Sequence, residues 1–167
     1  EILAPQLPGR ESRRREPTLD SCAGGARALL PIVKPELSSG VPYVIVAHSV
    51  GTWIAYELIR LLKQHSLPMP AHAFLSCFPA PDIPVAERPW TANGGSTLGD
   101  AAFQAECRGW DVNELLFSEK MWGLYGGLLR ADFGLVFSMQ THLQSISRAL
   151  VNKLVFFIFI LIYCIPF

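Results

Sequence analysis

The pentad Ala47-His48-Ser49-Val50-Gly51 is the segment of this chain best suited to covalent chemistry. It follows an apolar run and precedes an amphipathic stretch, so its serine is expected at a sharp strand-to-helix turn that lifts the hydroxyl above a sheet. A hydroxyl so placed can attack an acyl carbon. The free N–H groups at the start of the helix, that of Val50 first, can then receive the oxyanion. Ala47 and Gly51 are small enough for the backbone to turn there, although this motif ordinarily has glycine where Ala47 stands. His48 adjoins the serine, and its side chain is expected to point away from the hydroxyl and to pack or bond within the turn. The general base should instead arrive from a later loop, oriented by a carboxylate. His65 falls just after the predicted helix, His72 opens a strand, and His142 lacks a neighbouring glycine turn, so none fits that role. Cys22, Cys77, Cys107 and Cys164 stand far apart, with no paired or histidine-flanked spacing. Neither a metal site nor a disulfide framework is expected, no cofactor is implied, and the thiols point to a reducing, cytoplasmic compartment.

The elements that must position Ser49 are legible around it. Tyr43 to Ala47 is an unbroken apolar run of strand length, which predicts a parallel strand covered on both faces. Trp53, Ile54, Leu58, Leu61 and Leu62 recur at helical spacing as far as about Gln64, and Ala71 to Cys77 reads as the next strand. Upstream, Ile2 to Leu7 reads as a short strand ending at Pro8-Gly9, and the charged run Arg10 to Glu16 reads as a solvated loop. A helix is expected from Pro17, weakened by Gly24-Gly25 and Pro31 and ended by Ser38-Ser39-Gly40. Strand and helix alternating over so short a span predict a doubly wound α/β fold.

Past Cys77 the pattern changes to a proline-rich linker, Pro79 to Pro89, and then to short helices. Asp100 is placed to cap the first, Asp111 with Glu114 makes a capping arrangement, and Ser118 can open a third. Met121, Trp122 and Tyr125 on that last helix are expected either to line a lid over an apolar pocket or to pack the insertion onto the sheet. Both readings stay open here.

The chain's 167 residues hold 14 basic and 14 acidic side chains and no net charge, so no field attracts nucleic acid. Hydrophobic residues make up 50% and charged ones 17%, which excludes a disordered polar chain. Much of that apolar excess lies in Leu154 to Phe167.

The chain resembles the type II thioesterases of the α/β-hydrolase superfamily, which include oleoyl-ACP hydrolase. The segments carrying the likeness are Leu7-Pro8-Gly9-Arg10-Glu11-Ser12-Arg13, the Ser49 pentad, Phe74-Leu75-Ser76 with the prolines up to Trp90, and Leu129-Arg130-Ala131-Asp132-Phe133. The resemblance covers residues 1–133. It implies an α/β-hydrolase-type parallel sheet with a helical lid at about 82–130, incomplete at both ends, and a non-matching tail over 134–167. It also implies a serine hydrolase that releases acyl groups from the phosphopantetheine thioester of an acyl carrier protein, or of a carrier domain in a fatty acid, polyketide or peptide synthase. Ser49 would be the nucleophile, the Val50 amide an oxyanion donor, and Met121, Trp122 and Tyr125 lid contacts for the acyl chain. The chain departs from that pattern too. The strands and oxyanion loop that precede the pentad in the family are missing, Ser76 stands where embedded thioesterases carry the acid, and no Gly-x-His loop follows Phe133. Asp82 is in a region from which an acid could substitute, whereas Asp132 belongs to a family motif other than the triad. Catalysis by this chain is therefore expected to be incomplete. The alternatives are a non-catalytic carrier-binding or membrane-attached fragment and a generic serine esterase or lipase. Three origins are open for the tail: a sequence foreign to the fold, a membrane segment, or a buried final strand. As a helix, the tail from Leu154 spans about 21 Å, short of a roughly 30 Å hydrocarbon core.

Overall fold

The computed structural model describes residues 1–77, Glu87, 98–110, 112–138 and 154–157. Helix α1 (Cys22–Leu37) leads to strand β1 (Val44–His48), helix α2 (Val50–Gln64) and strand β2 (His72–Ser76). After the linker come α3 (Asp100–Gly109), a single 3-10 turn (Glu114–Phe117), α4 (Glu119–Ser138) and β3 (Leu154–Phe157). The strands lie in the order β1-β2-β3. Both pairings are parallel, with Val44 opposite His72, His48 opposite Ser76, and Ala73 opposite Leu154.

Side chains alternate across a strand, and the two faces of β1 and β2 have different fates. Ile45, Ala47, Ala73 and Leu75 pack beneath Ala55 and Ile59 of α2. On the opposite face Val44, Val46 and Phe74 are exposed, Val46 at 76%. Coverage on both faces, expected from the apolar run, is thus found on one face only among the described residues. The run is apolar on both sides, but the packed helices lie on one.

α2 is the central helix. One flank meets α1 through Ala26, Leu58 and Leu62; a second cluster joins Cys22, Leu29, Trp53, Ile54 and Tyr56 to Leu135 of α4. Burying a side chain the size of Leu62 contributes about 1.5–3 kcal/mol. That packing carries α1 unbroken through Pro31 and Pro35, each of which removes one helical hydrogen bond.

Several local assignments differ from expectation. Ile2 to Leu7 forms no strand, and Ile2 is 93% exposed, because no described strand runs beside it to pair its backbone. α1 starts at Cys22 rather than near Pro17; Ser21 is its cap, its hydroxyl accepting from the Gly24 N–H at 3.0 Å. Gly99, not Asp100, precedes α3, and Asp100 spends its carboxylate on Arg130 at 2.6 Å. Asn113 caps the 3-10 turn by accepting from the Leu115 N–H, while Asp111, its expected cap, lies outside the described residues. So do the Pro79–Pro89 linker (Glu87 excepted), His142, Cys164 and most of the tail. Among the described residues no helix is long and apolar enough to cross a membrane.

The Cys22 and Cys107 thiols are buried, and Cys77 is exposed. Burial pushes the Cys22 thiol up to about 12, helped by the nearby Glu57 and Asp132 carboxylates, and pushes Cys107 up to about 11. Because the thiolate is the nucleophile, a thiol at about 12 has roughly one part in ten thousand reactive at pH 8. Iodoacetamide at that pH is expected to modify exposed Cys77 at least ~100-fold faster than Cys22 or Cys107. Mass mapping of each peptide checks this, and in urea the three rates should converge.

Candidate active site

Ser49 sits between the last residue of β1 and the first of α2, with a positive φ of +52° and ψ of −133°. For a residue with a Cβ this conformation costs on the order of 1–3 kcal/mol and persists only where the surroundings over-determine it. Two neighbours supply that restraint. The Ser49 N–H donates to the Ser76 carbonyl at 3.0 Å, which ties the turn to the end of β2. The Ser49 carbonyl accepts from both the Thr52 N–H at 2.9 Å and the Thr52 hydroxyl at 2.8 Å. Thr52 is 2% exposed. His48 Nδ1 lies 2.7 Å from Ser76 Oγ, so two successive residues of the turn are held by the same serine.

The strained backbone has a chemical consequence. A serine ahead of a helix normally adopts an extended backbone and turns its hydroxyl onto an N–H of the first turn. Ser49 cannot, and its side chain makes no cap. The hydroxyl and the first N–H groups of α2 are therefore left side by side instead of satisfying each other. Val50 is the first helical residue, and its side chain packs on the cluster around Trp53. No described atom lies within 4 Å of where a Cβ on Gly51 would stand, so this glycine keeps the space over the first turn open. Ala47 meets a different demand, since it faces Ala55 and Ile59 on the covered side of the sheet.

No histidine or carboxylate bonds to the Ser49 hydroxyl among the described residues. His48 is turned to Ser76. His65 ends α2, a helix of 15 residues, and so stands about 22 Å away at 1.5 Å per residue. His72 opens β2, roughly 13 Å along the strand from the edge where Ser49 stands. Asp132 is engaged by Arg10, and Asp82 lies outside the described residues. Among these residues no cluster of ligating side chains could hold a metal ion.

The model of the thioesterase domain family matches residues 1–157 of this chain. The chain belongs to the thioesterase family. It is 31% identical over 142 residues to the gramicidin S biosynthesis protein GrsT of Aneurinibacillus migulanus, which covers 84% of this chain and 53% of that protein. Among solved structures, it superposes on the RedJ thioesterase of the prodiginine pathway in Streptomyces coelicolor with a TM-score of 0.67 and 27% identity, over 82% of this chain and 49% of RedJ. YbtT, a type II thioesterase from the yersiniabactin pathway, matches with a TM-score of 0.64 and 27% identity, over 80% and 52%. The fold is thus of the α/β-hydrolase type, and the chain spans about half the length of these relatives.

In this thioesterase-family chain the helical insertion has its own aromatic centre. Phe103, fully buried, meets Phe133 edge-on at 5.2 Å and Trp122 at 5.9 Å between ring centres, while Phe117 lies 5.9 Å from Trp122. Trp122 lies flat on Gly126, where an added Cβ would stand 2.8 Å from the indole ring. Met121 is half-buried, and Tyr125 points outward at 42% exposure beside Leu124 at 65%.

Sequence reasoning did not identify Ser76 and Thr52 as the residues that hold the turn. A signal existed for Ser76: once β1 and β2 are read as parallel neighbours, their last residues align, which sets His48 opposite Ser76. Thr52 had no comparable signal, because a threonine in the first turn of a helix is unremarkable by type.

Proposed function

We propose that this chain is a serine-dependent thioester hydrolase whose substrate is an acyl group on the phosphopantetheine arm of a carrier protein or carrier domain. The observation that supports this most strongly is the strained, doubly tethered Ser49 with an uncapped hydroxyl beside the start of α2. In the reaction, Ser49 Oγ attacks the thioester carbon as its proton leaves to a base. The carbonyl electron pair moves onto oxygen, where the Val50 N–H receives it. Collapse expels the pantetheine thiolate and leaves an acyl-Ser49 ester, which water then cleaves to the free acid. Among the described residues, His48, His65 and His72 offer no base placed for the Ser49 hydroxyl proton. GrsT, RedJ and YbtT are named for gramicidin S, prodiginine and yersiniabactin biosynthesis, the last an NRPS/PKS pathway, and that company favours carrier-bound substrates over simple esters.

A fluorophosphonate probe tests the reading without needing turnover. Ser49 should be the labelled residue, and acylated carrier protein should slow labelling at least ~10-fold more than unacylated carrier or an oxygen ester of the same chain length. Labelling elsewhere, or equal protection by the simple ester, overturns it, the second in favour of a generic esterase.

A further inference from the structure

Two segments remote in sequence, Pro8-Gly9-Arg10 and Arg130-Ala131-Asp132-Phe133, meet in space. Gly9, at φ +82°, turns the chain back so tightly that an added Cβ would stand 2.7 Å from Thr18 Cγ2. Arg10 then donates through one guanidinium nitrogen to the Asp132 carboxylate and through the other to the Pro8 carbonyl at 3.3 Å. The side chains of the pair are only 22% and 26% exposed. Three residues further along α4, Leu135 is buried against Trp53 and Tyr56, and the Cys22 thiol donates to its carbonyl at 3.8 Å.

The remainder of α4 is bound to α3 instead. Arg130 donates to the Leu98 carbonyl and to Asp100, both at 2.6 Å, and its guanidinium lies 4.3 Å over the Phe103 ring. Phe103 in turn touches both Trp122 and Phe133. α3 and α4 are therefore cross-linked into one unit, and the side-chain contacts described here that fasten it to α1, α2 and the first loop run through Asp132 and Leu135. That fastening lies on the same cluster against which Val50 packs.

We propose that the Arg10–Asp132 pair is a pin that seats the α3–α4 unit, which swings on residues 132–135, and that Arg10 is thereby a positioning residue for the acyl chain. The second half rests on the thioesterase reading above, while the pin stands without it. The pair is asymmetric. Burial holds the Asp132 carboxyl above its usual range, with Arg10 opposing. Without Arg10, the carboxylate is left desolvated and uncompensated, and while it stays ionised the way to rehydrate it is to carry the base of α4 out to water. Neutralising Asp132 removes that drive and keeps the shape.

Hydrogen exchange on the full 167-residue chain at pH 7 tests this. Arg10→Ala should speed exchange over 100–131 at least ~10-fold and leave 50–64 unchanged, Asp132→Asn should change it less than ~2-fold, and the double variant should return close to the parent. Equal acceleration in α2, no acceleration in α3–α4, or a double variant as fast as Arg10→Ala overturns the pin. Should Arg10→Ala fail to fold, the double variant decides: it must fold with slow exchange over 100–131. Positioning is read separately, as the ratio of Ser49 labelling by long-chain and short-chain fluorophosphonates. Arg10→Ala should lower that ratio about tenfold, and an unchanged ratio overturns the positioning role. Labelling absent from Ser49 in every variant, the parent included, would overturn the thioesterase reading and leave the exchange result intact.

Discussion

Ser49→Ala is expected to abolish fluorophosphonate capture with no loss of stability. The hydroxyl makes no cap, and the bonds that fix the turn all run through backbone atoms of residue 49. Alanine keeps those atoms and the same backbone strain, so unfolding should change by less than about 0.5 kcal/mol. Ser49→Gly separates strain from chemistry further. Glycine occupies φ +52° at no steric cost, so this variant should be equally unlabelled yet more stable by about 1 kcal/mol. Urea unfolding and labelling on the same samples check both. A glycine variant less stable than the parent would mean the turn is not under strain, and residual labelling in the alanine variant would move the nucleophile elsewhere.

That turn was legible because several signals coincide in one place: an apolar strand, a small-residue pentad and a helix with its inner face marked by Trp53, Leu58 and Leu62. Local pattern and tertiary role agree there, and β1 and α2 fall within a residue or so of their expected bounds. Ile2 to Leu7 has the composition of a strand but lacks the described neighbour that would make it one. A strand is a pairing, and the composition of a short apolar segment does not say whether a partner runs beside it. The helical insertion was visible as helices, yet the use of its aromatics was not. Trp122 is matched to Gly126 one turn on, at helical spacing, but also to Phe103 across the unit, a contact set by how two helices cross. The same holds for Arg10. In sequence it belongs to a charged run that reads as solvated, and Arg13 does pair locally with Glu16 at 2.6 Å. Arg10 instead faces a carboxylate 122 positions away, which only the folded chain brings near.

Phe103→Ala is expected to cost about 3–5 kcal/mol, the full penalty for emptying a buried aromatic site, and to place that cost in the insertion. The ring is fully buried among Trp122, Phe133 and the Arg130 guanidinium, so its removal forfeits two aromatic contacts of about 0.5–1.5 kcal/mol each along with its transfer energy. None of the clusters that hold α1, α2 and the sheet contains it. Phe103→Leu refills most of the volume and should lose only about 1–1.5 kcal/mol. Limited proteolysis resolves the location: cleavage within 98–131 should accelerate by two orders of magnitude or more in the alanine variant while α2 stays protected, because cleavage of a transiently opened segment tracks its opening free energy. Short-chain labelling of Ser49 should survive, since Ser76 and Thr52 hold the turn without help from the insertion, whereas any preference for long acyl chains should vanish with the surface that would bind them. Uniform acceleration across the chain would show instead that insertion and sheet unfold as one cooperative unit, and that the insertion has no independent motion for Arg10 to control.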